Sequence, residues 1–226
     1  MIQDINYKWN SNLAYIVGLI TTDGNLSKDK RHIFFTTGDH QLMDTFKNCL
    51  GIKNRVRSAL ERESSKKQTY RVSFGNRRFY VWLENIGLMP NKTYNLGKIN
   101  VPKKYFRDFL RGHLDGDGSV FTYTDRYMEY KGKRYTYQRL YTAFHSISFE
   151  HLKWLQTNIK EIIKIKGALA YYTKKDRKMK MWKLRFAKKD SLKLLSWLYY
   201  KPNLPCLYRK RKIAERFLKP LKNRWP

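Results

Sequence analysis

Two stretches of this chain share one unusual pattern. Leu13–Asn25 reads LAYIVGLITTDGN and Phe109–Ser119 reads FLRGHLDGDGS. Each is an apolar, helix-like run with a glycine in its middle, and each leads straight into an aspartate followed by a glycine. A helix that is apolar around most of its circumference must be buried, and a mid-helix glycine marks a place where a second backbone can come close. The simplest fold that satisfies both runs packs them against each other, with Gly18 facing Gly112 and the two helix ends carrying Asp23 and Asp117 toward one point.

The echo continues beyond these helices. Arg31–Gly51 (RHIFFTTGDHQLMDTFKNCLG) and Tyr141–Ile162 (YTAFHSISFEHLKWLQTNIKEI) each pass from a strand-like run into an amphipathic helix. Asn54–Phe74 and Gly167–Phe186 each read as two alternating strands around a basic, polar turn. Asn76–Lys92 and Ala187–Lys210 each hold a tryptophan-centred helix closed by a proline-containing loop. Each half therefore reads helix, strand, strand, helix, strand, strand, helix. The offset between matching points grows past the second motif, so the extra residues belong to the first hairpin of the second half, Phe121–Tyr141. The joint lies near Gly97–Pro102, where periodicity breaks. The expected organisation is a duplicated domain, 1–98 and 99–226, of α+β class, with one antiparallel sheet in each pseudo-symmetric half.

Charge narrows the partner. Forty-eight Lys and Arg against 18 Asp and Glu leave a formal net charge of +30. Such an excess repels itself in a compact chain unless a polyanion is bound, and nucleic acid is the first candidate because neutralised phosphates release counterions. The 42% hydrophobic and 15% aromatic content is that of a folding chain. No apolar run approaches bilayer length, and no signal-peptide pattern opens the sequence. Cys49 and Cys206 make no disulfide framework, so an intracellular setting, bacterial cytoplasm or organelle, is expected.

Strand parity locates the charge. Tyr70, Val72 and Phe74 alternate with Arg71 and Ser73; Trp182, Leu184 and Phe186 alternate with Lys183 and Arg185; Arg55 and Arg57 flank Val56. Each sheet then has an apolar back and a positive front of a size to read base edges in a major groove. Arg31 and Arg139 join Arg55, Arg57, Arg71, Ser73, Lys183 and Arg185 as expected DNA contacts. The spacing of Tyr and Trp reads as core first and base stacking second. The five histidines show no ligand spacing.

A carboxylate at a helix C-terminus faces the negative end of the dipole, and two together are worse unless a cation lies between them. Mg²⁺, which takes oxygen ligands and keeps several waters, suits such a place. Beside DNA phosphates it polarises a phosphoryl oxygen and activates water. A calcium loop is excluded: Asp115, Asp117 and Ser119 fall at its first three ligand positions, but Val120 and Arg126 stand where glycine and glutamate are required.

On these residues the chain resembles the LAGLIDADG homing endonucleases, in the single-chain form with two motifs, Ile16–Gly24 and Leu110–Gly118. The likeness covers nearly the whole chain. It implies two αββαββα halves forming a saddle over double-stranded DNA, a monomer, and a cut in each strand that leaves short 3′ overhangs. It implies Mg²⁺ (or Mn²⁺) held by Asp23 and Asp117, with the backbone carbonyls of Thr22 and Gly116 as further ligands. It also matches Lys92 and Lys210 to a basic residue near each scissile phosphate, where each either assists catalysis or only contacts a phosphate. Thr21 stands where Asp115 keeps an earlier acid, and Arg111 and His113 replace small residues. Two other readings share the fold: a maturase that binds intron RNA, and a non-cleaving, sequence-specific DNA-binding regulator, for which no added helix-turn-helix is visible.

Overall fold

The computed structural model describes residues 5, 7–62, 65–92, 94–173 and 180–222. Residues 63–64 and 174–179, within the two hairpins expected over Asn54–Phe74 and Gly167–Phe186, lie outside these residues. The chain divides into two compact units, residues 1–117 with 203–207, and residues 118–202 with 208–226.

In the first unit, the first motif forms α1 (Ser11–Asp23), started by Asn10, whose side chain accepts from the Leu13 amide at 2.9 Å. Leu13 through Thr21 are all buried, as an apolar circumference requires. Then come β1 (Gly24–Leu26), β2 (His32–Thr37), α2 (His40–Leu50), β3 (Val56–Arg62), β4 (Ser65–Gly75) and α3 (Arg77–Asn85). Asp39 and Asn76 cap α2 and α3 by accepting from the amides of Leu42 and Phe79. The four strands form one antiparallel sheet in the order β1-β2-β4-β3. Ile33, Phe35, Val72 and Phe74 are buried on one face, and Phe35 stacks on Phe46 of α2 with ring centroids 4.2 Å apart. A single 3-10 turn at Lys103–Tyr105 leads into the second motif helix, α4 (Phe106–Asp115).

The second unit repeats the strand-strand-helix order. It contains β5 (Ser119–Tyr130), β6 (Lys133–Ser146), α5 (Phe149–Ile163), β7 (Ala168–Thr173), β8 (Lys180–Phe186) and α6 (Lys188–Leu198). Its antiparallel sheet runs β5-β6-β8-β7, the same permutation as the first. The first hairpin of this half is the longer one, as expected: β6 pairs with β8 only over Thr142–Ser146, while β5 and β6 continue together to Tyr130 and Lys133.

One helix goes beyond the sequence reading, and packing groups the chain differently from the repeat. A further helix, α7 (Tyr208–Lys222), follows α6 and packs on α6 and β5. The compact units also do not follow the repeat boundary at 98/99. The reason is packing: α4 begins the second repeat, yet it lies along α1 and is counted with the first unit.

Candidate active site at the paired motif turns

The α1–α4 pair is a backbone-to-backbone contact. A Cβ added to Gly18 would sit 2.1 Å from the Phe109 carbonyl oxygen, and one added to Gly112 would sit 2.0 Å from that of Tyr15. No side chain fits at either place. The bulk of Arg111 and His113, both buried, does not prevent this approach. Arg111 donates from Nη1 to Asp108 Oδ1 at 2.8 Å and from Nε to the Pro205 carbonyl at 2.9 Å. Its guanidinium lies 5.3 Å from the Tyr15 ring centre.

Such close helices bring their C-terminal turns together. A Cβ on Gly116 would fall 1.9 Å from Thr22 Oγ1 and 2.8 Å from Asp23 Oδ2, so the first motif's carboxylate lies against the backbone of the second motif's turn. Lys92 completes the group. It is buried, and its Nζ donates to the carbonyl of Gly24, the residue after Asp23. Burial pushes its pKa down from 10.5 to about 8, while Asp117 and Asp23 pull it back up. The structure thus gathers Asp23, Asp117, Thr22, Gly116 and Lys92 in the first unit. Lys210 lies in the second, buried, and donates from Nζ to the carbonyl of Gly118 at 2.7 Å. Each lysine therefore holds the carbonyl of the glycine that follows a motif aspartate.

The donor set suits a hard divalent cation. Mg²⁺ uses one or two carboxylates and leaves its remaining positions to water and substrate phosphate. Among the described residues no group of three or more His, Cys, Asp and Glu side chains is placed to hold a metal, so an all-protein cage is not on offer. What the structure offers instead is the Asp23 carboxylate lying against the backbone of the turn that carries Asp117. Gly116 fits this use, since its missing Cβ is what admits Asp23 and Thr22 to the turn.

The other acid of the second motif serves elsewhere. Asp115 is buried, and its Oδ2 accepts from Tyr15 Oη at 2.9 Å and from the Leu207 amide at 2.8 Å. Thr21, at the same place in the first motif, bonds back to its own helix at the Val17 carbonyl, 2.7 Å away. The Asp115 clasp was not foreseen, because nothing local in sequence joins residue 115 to 15 and 207.

Six of the eight expected DNA contacts are exposed. Arg55, Arg57, Arg71 and Ser73 are exposed in the first unit, with Arg57 and Arg71 as cross-strand partners and Arg71 4.3 Å over the Phe34 ring. Arg31 is exposed at the turn entering β2. In the second unit Arg185 is exposed, Lys183 half-buried, and Arg139 is ion-paired with Asp125 at 2.8 Å. No helix among the described residues is long and apolar enough to cross a membrane.

Known proteins agree with this architecture. Residues 10–87 match the LAGLIDADG-like domain family. The uncharacterized protein MJ0314 of Methanocaldococcus jannaschii is 28% identical over 121 residues, which span 51% of this chain and 44% of that protein. The match thus takes in less than half of that relative. The LAGLIDADG meganuclease I-AabMI, solved bound to uncleaved DNA, superposes with a TM-score of 0.58 at 14% identity, over 96% of this chain and 92% of its own. The homing endonuclease I-WcaI, bound to its DNA recognition sequence, gives 0.57 at 13% identity, over 91% and 88%. The full-length DUF199/WhiA protein from Thermatoga maritima gives 0.54 at 16% identity, over 98% of this chain and 64% of that one. Residues 10–87 thus resemble a LAGLIDADG-like domain, and the chain as a whole shares the fold of these LAGLIDADG structures.

Proposed function

We propose that this chain is a site-specific endonuclease that hydrolyses one phosphodiester in each strand of a DNA duplex and leaves short 3′ overhangs, as a monomer carrying both motifs. The observation that carries the reading is the meeting of Asp23 with the second motif's turn, under the influence of a buried lysine that senses Asp23 and Asp117 together. Asp23 and Asp117 are the ligands assigned to Mg²⁺ or Mn²⁺, with the carbonyls of Thr22 and Gly116 beside them. When bound, the metal supplies a polarised phosphoryl oxygen and an acidified water.

The chain's own groups do the rest. Lys92 presents a positive charge, held in place by the Gly24 carbonyl, where negative charge builds on the phosphate. Lys210, held by the Gly118 carbonyl, has the same role for the second strand. Arg57, Arg71 and Ser73 on one sheet and Lys183 and Arg185 on the other orient the duplex. Phosphate contacts set the register, and base-edge contacts set the preferred site.

Selection of cleaved sequences from a randomised duplex library with Mg²⁺ supplies the substrate for the test. On that substrate, Asp23→Asn and Asp117→Asn each abolish double-strand cleavage and keep duplex binding. Full cutting by either variant, or a wild-type chain that binds but never cuts with Mg²⁺ or Mn²⁺, overturns the reading.

A further inference from the structure

Helix α3 carries two stripes, and the core uses only one of them. Phe79, Tyr80 and Leu83 are buried. Arg78, Val81, Trp82 and Asn85 recur at spacings of three and four, so they share the opposite face. The outer face of a surface helix is ordinarily charged and polar throughout, whereas the centre of this one is apolar and aromatic. Val81 is 42% exposed, and Trp82 is half-buried.

The segment before α1 turns this face into a cleft. The rings of Tyr7 and Trp9 lie 6.3 Å and 5.0 Å from that of Trp82, and Phe79 stacks on Trp82 at 5.7 Å and 13°. The cleft holds about 840 Å³, within the range of about 300–1,000 Å³ usual for small-molecule sites. Tyr7, Val81 and Trp82 form its apolar wall, with Arg77 and Arg78 toward the start of the helix and Asn85 toward its end. Among the described residues no carboxylate lines the cleft, neither arginine has an ion-pair partner, and the Asn85 side-chain amide has no hydrogen bond. The arginines also stand at the positive end of the helix dipole.

We propose that this cleft binds a nucleotide, with the base on Trp82 and Tyr7 and the phosphate on Arg77 and Arg78. An aromatic wall takes a flat base by stacking. Two uncommitted guanidinium groups at a helix N-terminus take a phosphate through paired N–H donors. The Asn85 amide offers a donor and an acceptor to a base edge. An aliphatic acid would answer the arginines but neither the amide nor the rings, and an uncharged apolar ligand would leave the arginines unanswered. A free nucleotide and one unpaired nucleotide of a strand supply the same chemistry. The inference is independent of whether the chain cuts DNA, because none of these side chains belongs to the motif turns or to the expected duplex contacts on the strands.

The test titrates the full chain calorimetrically with AMP, adenosine, inorganic phosphate, decanoate, a short oligo(A) and a short duplex. AMP should bind about tenfold or more tightly than adenosine or phosphate, since each of these fills only part of the site. Val81→Glu, at an exposed helix position, places a carboxylate beside the arginines and should cost AMP about tenfold or more, with duplex affinity near that of the parent. The double variant Arg77→Gln, Arg78→Gln should lower AMP to the level of adenosine and leave adenosine unchanged. Trp82→Leu should weaken both, and Trp82→Phe, which keeps a ring face, should restore them. Oligo(A) binding that exceeds AMP binding and falls in Val81→Glu assigns a nucleotide within a strand; AMP binding as tightly as oligo(A) assigns a free one; either supports the proposal. It is overturned if the parent binds neither AMP nor oligo(A), or if Val81→Glu binds AMP as the parent does. Phosphate or decanoate binding as tightly as AMP overturns it too, as does an equal loss of duplex affinity in Val81→Glu.

Discussion

Tyr15 donates its hydroxyl to Asp115 at 2.9 Å, and the same carboxylate oxygen takes the amide of Leu207 at 2.8 Å. This one acid ties α1, α4 and a distant loop together inside the first unit. Burial, then the nearby Asp115 carboxylate, raise the pKa of Tyr15 well above its ordinary value, so the phenol stays a donor at all working pH. Tyr15→Phe removes one buried hydrogen bond to a charged group and should cost about 1.5–3 kcal/mol in urea unfolding. Asp115→Ala strands both donors and should cost more. Neither change should remove the metal dependence of cleavage, since Asp115 points its bonded oxygen at Tyr15 and Leu207; loss of that dependence with stability unchanged would reassign Asp115 to the metal.

The glycine contact gives a sharper stability test. Gly18→Ala or Gly112→Ala forces a methyl group into backbone atoms that cannot swing aside. Each should destabilise by at least about 3 kcal/mol, the upper end for overpacking. Gly97→Ala is the control: nothing lies within 4 Å of its added Cβ, and φ there is not positive. Its unfolding midpoint should stay near that of the parent chain.

Lys92 sets a pH dependence. Its folded-state pKa of about 8 lies below the ordinary lysine value of 10.5, with burial as the main cause. Between these values the unfolded chain binds more protons than the folded one, so stability rises with pH across that window. The gain should be about 1–3 kcal/mol, because each tenfold difference in proton affinity between the two states corresponds to about 1.4 kcal/mol. Thermal unfolding without metal, compared between the parent and Lys92→Met, isolates it: the difference between the two should narrow as pH climbs from 8 toward 10.5. A constant difference would mean that the Gly24 carbonyl already offsets the burial.

Arg71 tests the first sheet's exposed face. Its guanidinium lies over Phe34 and opposite Arg57, so Arg71→Ala removes charge from the middle of the basic front. Duplex affinity should fall. If Arg71 meets a phosphate, the slope of log affinity against log salt should shrink by about 1 for all sequences alike; if it meets a base, preference at one position should relax. No change of either kind would turn this face away from DNA.

Much of this was legible in residue order. The motif helices announced themselves through apolar runs with central glycines, and the pairing of Gly18 with Gly112 follows from their repetition. Alternation placed Val72 and Phe74 inside and Arg71 and Ser73 outside. Growth of the repeat offset located the long hairpin. Helix α7 was hidden because its segment, YRKRKIAERFLKPLK, reads as a solvated basic stretch; it is ordered by a few buried positions, Lys210 and Ala214 among them. The Tyr15–Asp115–Leu207 clasp was invisible for a different reason: hydrogen bonds between residues far apart leave no periodic trace.

The placement of Asn203–Leu207 bears on how the protein is made. This short stretch belongs to the first unit, although the chain on either side of it belongs to the second. Gln41 and Arg111 donate to its Cys206 and Pro205 carbonyls, and its Leu207 amide reaches Asp115. The motif helices therefore wait for Asn203–Leu207, which lie beyond the second sheet in the chain, before that unit's contacts are complete. During synthesis, domains ordinarily fold in order from the N-terminus, but here the motif helices would leave the ribosome long before their final covering does. A gene cut between the two repeats would yield an N-terminal fragment with that seam still open.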